Sequence, residues 1–137
     1  MSRDIAKLRS LLDRIENAEG PDCRIESDAE RATGFYIVGW SGSLSTAVKL
    51  FNRALPDWWL STGLCSLSGD ASCGPDYNGP ARERLLREFP VERFDDGFHV
   101  DLRLGDGWHR CGYAILHVMI QALIAIEEQA AKSEAAL

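Results

Sequence analysis

The feature that most constrains the fold is the segment 111–132, CGYAILHVMIQALIAIEEQAAK, which is apolar around almost its whole circumference until Glu127. A helix with apolar side chains on nearly every side must be packed on more than one side, so the segment predicts a central core helix. Its uncharged part is too short to span a bilayer, and His117 and Gln121 interrupt it. We expect His117 to be a core histidine whose ring is satisfied by a backbone group.

Four further segments are predicted to be helices. Apolar residues of the first recur at the helical period, and Asp4 lies in its first turn. A second helix can open with Pro21 at its first position and stops at Gly34. Ser43 is a suitable N-cap for the third helix, which Pro56 closes. The four segments are 4–20, 21–34, 44–55 and 80–89.

Two segments show the alternation of β-strands. In WWLSTGLCSLS, Trp58 and Trp59 must point to opposite faces of a sheet. In FHVDLRLG, one side is apolar, and a turn formed by the preceding DDG predicts a hairpin with 91–94, VERF. The segment 69–80 is rich in glycine, serine and proline and is predicted to be a loop. The polar side of the second strand carries His99, Asp101 and Arg103.

These elements predict an α+β fold: a small antiparallel sheet sandwiched or covered by helices in an α/β/α layering, with helices at the N-terminal and C-terminal ends. The length of 137 residues predicts one domain over 1–137. If both sheet faces were covered, Trp58 and Trp59 would both lie in the core. The polar side of the second strand instead predicts an edge position or an open patch around His99.

Composition narrows the function classes. The net charge of −6 disfavours a nucleic-acid partner, because an acidic surface repels phosphates. The start MSRDIAKLRS lacks the apolar region of a secretory signal, and the four cysteines lack CxxC spacing. We therefore expect reduced thiols, a cytoplasmic location, and contact with neither nucleic acid nor membrane.

No segment carries a catalytic motif such as a nucleophile elbow, a Walker loop or HExxH, so we expect a protein that is not an enzyme. His109 and Cys111 form one loose pair, whereas structural zinc needs four converging ligands. The segment 70–79 is spaced like a calcium loop, but Ala81 stands where the bidentate glutamate belongs. We expect neither a metal nor a cofactor. A cysteine–histidine nucleophile pair, which needs contact in space, would come from Cys73 or Cys111 with His99 or His109.

Three segments carry a family resemblance. The opening LRSLLDRIENAEGPDCRIESDAERATG is a helix, an A-x-G-P break and an acidic second helix that ends in glycine. SGSLSTAVKLFNRALPDWW is a Ser-Leu-x-x-Ala helix closed by proline and tryptophan, and CGYAILHVMIQALIAIEEQ is an alanine-containing final helix. Together they resemble the phage ABA sandwich family of small phage and prophage proteins, which is named for its α/β/α layering.

The resemblance implies a viral or prophage origin and brings no catalytic residues with it, since its motifs are packing motifs. Two regions depart from the family pattern: the long middle segment 69–96 and GWHRCGY at the entry to the last helix. We expect an individual function to lie in these regions.

Aromatic and charged residues in and near these regions are of the types enriched at interface hot spots. Trp108 can be either a lid over the sheet edge or an exposed anchor for a partner. Acidic residues also cluster around the second strand, at Asp95, Asp96, Asp101 and Asp106. The candidate binding residues are Trp59, Tyr77, His99, Asp101, Arg103, Asp106, Trp108 and Arg110.

The leading functional hypothesis is a phage accessory protein that binds a host protein or complex, as a counter-defence inhibitor of the anti-CRISPR type. Its acidic patch would oppose a basic nucleic-acid-binding groove on the host protein. Two alternatives stay open. One is a module that sequesters a nucleotide-like molecule in a pocket lined by Trp59, Tyr77, Arg103 and Arg110. The other is an oligomeric structural phage protein that associates through its last helix.

Overall fold

The computed structural model describes residues 3–36, 44–64, 68–103 and 110–136. Within these ranges the fold is α+β, with a three-stranded antiparallel sheet of order β1-β2-β3. The elements in chain order are α1 (Ile5–Glu16), α2 (Cys23–Thr33), α3 (Leu44–Ala54), β1 (Trp58–Leu64), β2 (Gly69–Pro75), α4 (Arg82–Glu88), α5 (Val91–Phe94), β3 (Phe98–Leu102) and α6 (Arg110–Ala135).

The last helix, α6, is the centre of the molecule, as its apolar sequence predicts. One side of α6 packs on all three strands, and another side packs on α1 and α3. From Gly112 to Ile120 every residue is buried, and exposure begins only after Glu127. By length and composition alone, 112–135 is long and apolar enough to cross a membrane, although the sequence analysis judged its uncharged part too short for that. In this fold, however, 67% of its most apolar window is buried inside the protein.

Local sequence signals set the ends of the first two helices. Asp4 is the N-cap of α1, where its side chain accepts hydrogen bonds from the backbone N–H groups of Ala6 and Lys7. The prediction that Pro21 opens α2 is wrong, because the helix begins at Cys23 with Asp22 as its cap. Gly34 ends α2 in the left-handed conformation, at φ 78°, as predicted. The proposed N-cap Ser43 lies outside the described residues.

Two predictions about the middle of the chain are wrong. The segment 69–75, predicted to be a loop, is β2, the central strand of the sheet. The segment 91–94, predicted to pair with β3, is the short helix α5, and β3 pairs with β2 instead. Pro90 precedes α5 with φ −55°, and the single turn buries Phe94 against Trp58 and Phe98.

His117 is buried in the core, as predicted, but side chains rather than a backbone group satisfy its ring. Its Nε2 lies 2.8 Å from Glu16 Oε1, and its Nδ1 lies 2.8 Å from Gln121 Nε2. The same Gln121 amide also donates to the His99 carbonyl at 3.1 Å. These contacts join α1, α6 and β3 through polar side chains that lead from the buried His117 ring to the protein surface.

Candidate functional site

The strand register divides the sheet into two faces of different character. The inner face packs on α6 and includes Ala71, Cys73 and Leu102, which are buried. The outer face points the other way because side chains alternate along each strand. Its cross-strand rows are Trp59–Gly74, Ser61–Ser72–His99 and Gly63–Asp70–Asp101.

Trp59 is the largest side chain of the outer face, and 42% of it is exposed, whereas its neighbour Trp58 is 7% exposed. The interpretation that both tryptophans are core residues is therefore wrong for Trp59. Trp58 points inward and packs on a cluster of phenylalanines, with ring centroids 5.2 Å from Phe89 and 6.1 Å from Phe94. In the described part of the chain the Trp58 indole nitrogen has no hydrogen-bond partner.

Two glycines hold the Trp59 indole against the sheet. A Cβ at Gly74 would lie 3.0 Å from Trp59 Nε1, which is tighter than nine in ten real Cβ contacts. A Cβ at Gly97 would lie 3.4 Å from Trp59 Cζ2 and 2.5 Å from the Cys73 carbonyl oxygen, and Gly97 has φ +70°. A side chain at Gly74 would therefore displace the ring slightly, whereas glycine is needed at position 97 because of its φ and the nearby Cys73 carbonyl rather than because of the indole. The indole of Trp59 therefore lies on a glycine surface, and a large fraction of the indole stays exposed to solvent.

Polar side chains fill the rest of the outer face. Ser72 Oγ lies 2.7 Å from His99 Nδ1, in a cross-strand pair between β2 and β3. Asp70 and Asp101 are direct cross-strand partners and both are exposed. Two carboxylates placed opposite each other repel, so the sheet tolerates this pair at a cost in stability. A cation bound between them would remove that cost.

The structure brings together only some of the predicted binding residues. Trp59, His99 and Asp101 share the outer face, and Arg103 is exposed directly after β3. The predicted open patch at an edge strand is confirmed, since β3 is at the edge and His99 and Asp101 are exposed. Tyr77 lies beyond the end of β2, where its hydroxyl donates to the Phe89 carbonyl oxygen at 2.6 Å.

The remaining predicted residues are Asp106, Trp108 and Arg110, at and just before the start of α6 in the sequence. Asp106 and Trp108 lie outside the described residues. Arg110 is the first residue of α6, and its side chain lies outside the described part. The role of Trp108 as lid or anchor stays a prediction.

Sequence reasoning missed three contributors to the outer face: Asp70, Ser72 and Gly74. All three belong to β2, which was predicted to be a loop, and their alternate spacing was compared only with that of a calcium loop, which the sequence analysis rejected because Ala81 stands in place of the glutamate. In a strand, that spacing places them along one face, about 7 Å apart, instead of around an ion. Among the residues that the structure describes, no three His, Cys, Asp or Glu side chains converge as metal ligands.

Cys73 is unsuited to nucleophilic catalysis in this fold. It lies fully buried on the inner face, where burial raises the pKa of its thiol to about 12. His99 is on the opposite face of the sheet, so these two residues do not form the pair that the sequence left open. The side chain of Cys111 lies outside the described residues.

Comparisons of the chain with protein-family models, with curated proteins and with solved structures found no match. The resemblance to the phage ABA sandwich family therefore stays a prediction from the motifs of the sequence.

Proposed function

We propose that this protein acts by binding a partner protein through the outer face of its sheet, and that the partner presents a basic surface. The position of Trp59 carries the proposal. An indole that lies on glycines with 42% of its surface exposed is already ordered, so a partner that covers it gains apolar contact with little loss of side-chain entropy.

The charges of the outer face support a basic partner. Asp70 and Asp101 face each other without a cation between them in any described contact, and Asp95 and Asp96 are exposed just before Gly97. A lysine or arginine of the partner can pair with these carboxylates and can also stack on the Trp59 ring. The chain as a whole is acidic, which favours approach to a positively charged surface.

The resemblance to small phage proteins supports a finer version of the proposal. A counter-defence inhibitor that occupies the nucleic-acid groove of a host protein needs carboxylates that replace phosphates, and exposed apolar area that supplies affinity. Both are properties of the outer face. The origin of the protein and its host target belong to the proposal.

The test is capture of a partner from a nuclease-treated host lysate by tagged protein, followed by binding measurements with the purified partner. Trp59→Ala is the principal variant, and Leu44→Ala is its matched control, since Leu44 is also 42% exposed but lies on α3. We expect Trp59→Ala to weaken binding by about 30-fold, the range of a hot-spot residue, and Leu44→Ala to leave it unchanged.

The double variant Asp70→Asn/Asp101→Asn tests the charge of the partner. We expect its affinity to be lower and less dependent on salt than that of the wild type, because the attraction is electrostatic. Equal binding by wild type and Trp59→Ala would refute the outer face as the interface. Equal salt dependence of wild type and double variant would refute a basic partner.

A further inference from the structure

A groove between α1 and α2 has features of a second binding site, on other elements than the outer face. Its volume is about 780 Å³, within the range of small-molecule sites. Leu8, Leu11 and Ala32 supply its apolar part. Its polar part is supplied by Arg3, Asp4, Lys7, Ser10, Arg14, Asp28, Arg31 and Thr33.

The charge of the groove is opposite to that of the chain. Four cations, Arg3, Lys7, Arg14 and Arg31, line it together with two anions, Asp4 and Asp28, and Glu127 pairs with Arg3 from outside the lining. One positive charge therefore remains in excess, in a protein of net charge −6. An excess of positive charge gathered in a concave site of an acidic protein favours an anionic ligand.

The ion pairs of the groove leave part of this charge unmatched. Arg14 Nη1 lies 2.6 Å from Asp28 Oδ2, and Arg31 Nη1 lies 3.4 Å from Asp28 Oδ1, so two guanidinium groups share one carboxylate. Arg3 is matched by Glu127, which lies 3.3 Å away and does not line the groove.

Lys7 contributes a cation outside these ion pairs. Its ammonium group has no ion-pair partner among the described residues, and it stands in the first turn of α1, where the helix dipole disfavours a cation. An anion beside Lys7 would interact favourably with the ammonium group, whereas the positive end of the helix is already capped by the Asp4 carboxylate.

We infer that this groove binds an organic phosphate about the size of a mononucleotide. The phosphate lies between Lys7 and the guanidinium groups of Arg14 and Arg31, where charge-assisted hydrogen bonds are available from three side chains. The organic part of the ligand covers half-buried Ala32 and the aliphatic parts of the basic side chains, since Leu8 and Leu11 beneath them are only 3% exposed. Neither Trp59 nor any other outer-face residue lines the groove, so this inference does not depend on the proposed function.

Isothermal titration calorimetry at low salt tests the inference with four probes: adenosine monophosphate, a hexose phosphate, inorganic phosphate and a glutamate-rich peptide. The principal variant is Lys7→Ala/Arg31→Ala, since both side chains are exposed and their loss leaves the core intact. The matched control is Arg24→Ala/Lys49→Ala, which removes the same charge from exposed positions of α2 and α3 outside the groove.

We expect at least one organic phosphate to bind the wild type and the control equally. The groove variant should bind it about 10-fold to 100-fold more weakly, the effect of losing charged hydrogen bonds. Equal loss in variant and control would mean general charge attraction and would overturn the inference. It would also be overturned if no organic phosphate bound at millimolar concentration, if inorganic phosphate bound as tightly, or if the acidic peptide bound more tightly.

Discussion

The two faces of the same three-stranded sheet are built from different kinds of residue. On the inner face, β2 presents small residues, Gly69, Ala71 and Cys73, and α6 packs directly on them. On the outer face, the same strand presents Asp70, Ser72 and Gly74 to the solvent side. The inner face is explained fully by packing. Hydration by solvent is enough to account for the polar residues of the outer face. It does not account for Trp59, whose large indole lies on glycines and is partly exposed.

The contrast separates structural residues from candidate functional ones. Where a residue is buried against α6, its size and apolarity suffice as a reason for its presence. Packing does not explain Trp59, which exposes apolar surface. It also does not explain the Asp70–Asp101 pair, which places two like charges opposite each other. The four predictions below test this division.

The largest effect is expected from a charge placed on the inner face. Ala71→Asp would bury a carboxylate at a position that is 1% exposed, with α6 above it, and should cost about 4 kcal/mol or more in the free energy of unfolding. Ser61→Asp, on the exposed side of the neighbouring strand, should change it by less than about 1 kcal/mol. Urea unfolding measures the free energy of unfolding of both variants. Similar losses of stability would show that the two faces of the sheet are equally covered.

The tryptophan pair gives the next largest contrast. Trp58→Ala removes a buried ring that stacks on Phe98 and meets Phe89 and Phe94 edge-on, and should cost about 3–5 kcal/mol. Trp59→Ala should cost about 1 kcal/mol, because its indole is partly exposed. If thermal and urea unfolding gave equal losses for the two variants, Trp59 would be a core residue and its assignment to an interface would fail.

The close backbone packing at Gly97, beside Trp59, can be tested by comparing two glycines of similar φ. Gly34→Ala has φ +78° with open space around its Cβ, so only backbone strain of about 1–2 kcal/mol is expected. Gly97→Ala adds a contact of 2.5 Å with the Cys73 carbonyl and should cost about 2–4 kcal/mol. The difference between the two unfolding free energies isolates the steric term. No difference would contradict close packing at Gly97.

The last prediction concerns stability at alkaline pH, and it has the smallest effect under neutral conditions. It arises from two buried acidic groups, Cys73 and Tyr113. Burial raises the pKa of Cys73 from 9.0 to about 12. It also raises the pKa of Tyr113 from 10.0 to about 12, although the hydrogen bond from the Asp22 N–H to the phenol oxygen acts in the opposite direction. Both groups are acids held in their neutral form, so their contribution to stability is complete below pH 9.0 and is lost as pH rises towards 12.

Urea midpoints measured between pH 8 and pH 12 check this window. Cys73→Ala should retain the part of the decline due to Tyr113 and lose the part that begins near pH 9.0. A midpoint that stays constant across the window in the wild type would count against burial of these two groups.

The sequence predicts those parts of the fold that depend on local pattern. Helices α1, α2, α3, α4 and α6 follow from apolar periodicity and end signals, and β1 and β3 follow from alternation. Strand β2 was missed because glycine, serine and proline favour loops in isolation. Its small inner residues are explained only by the nearness of α6, which is a tertiary contact.

The candidate site was predicted only in part, for the same reason. Alternation shows that Trp58 and Trp59 face opposite ways, but it does not show which face α6 covers. Gly74 and Gly97 meet under Trp59 although they are far apart in the sequence, on β2 and just before β3. His99 and Asp101 could be predicted because β3 shows its polar side directly. The basic groove depends on how α1 packs against α2, so it could not be predicted from the sequence of either helix alone.

The central place of α6 has a consequence for how the protein forms during synthesis. Every other layer of the core packs on this helix, yet it follows all other elements in the chain. As the ribosome adds residues, α1, α3 and the strands emerge without the surface that buries them, so the nascent chain holds exposed apolar faces until α6 is complete. Folding then depends on a late event that joins residues far apart in sequence.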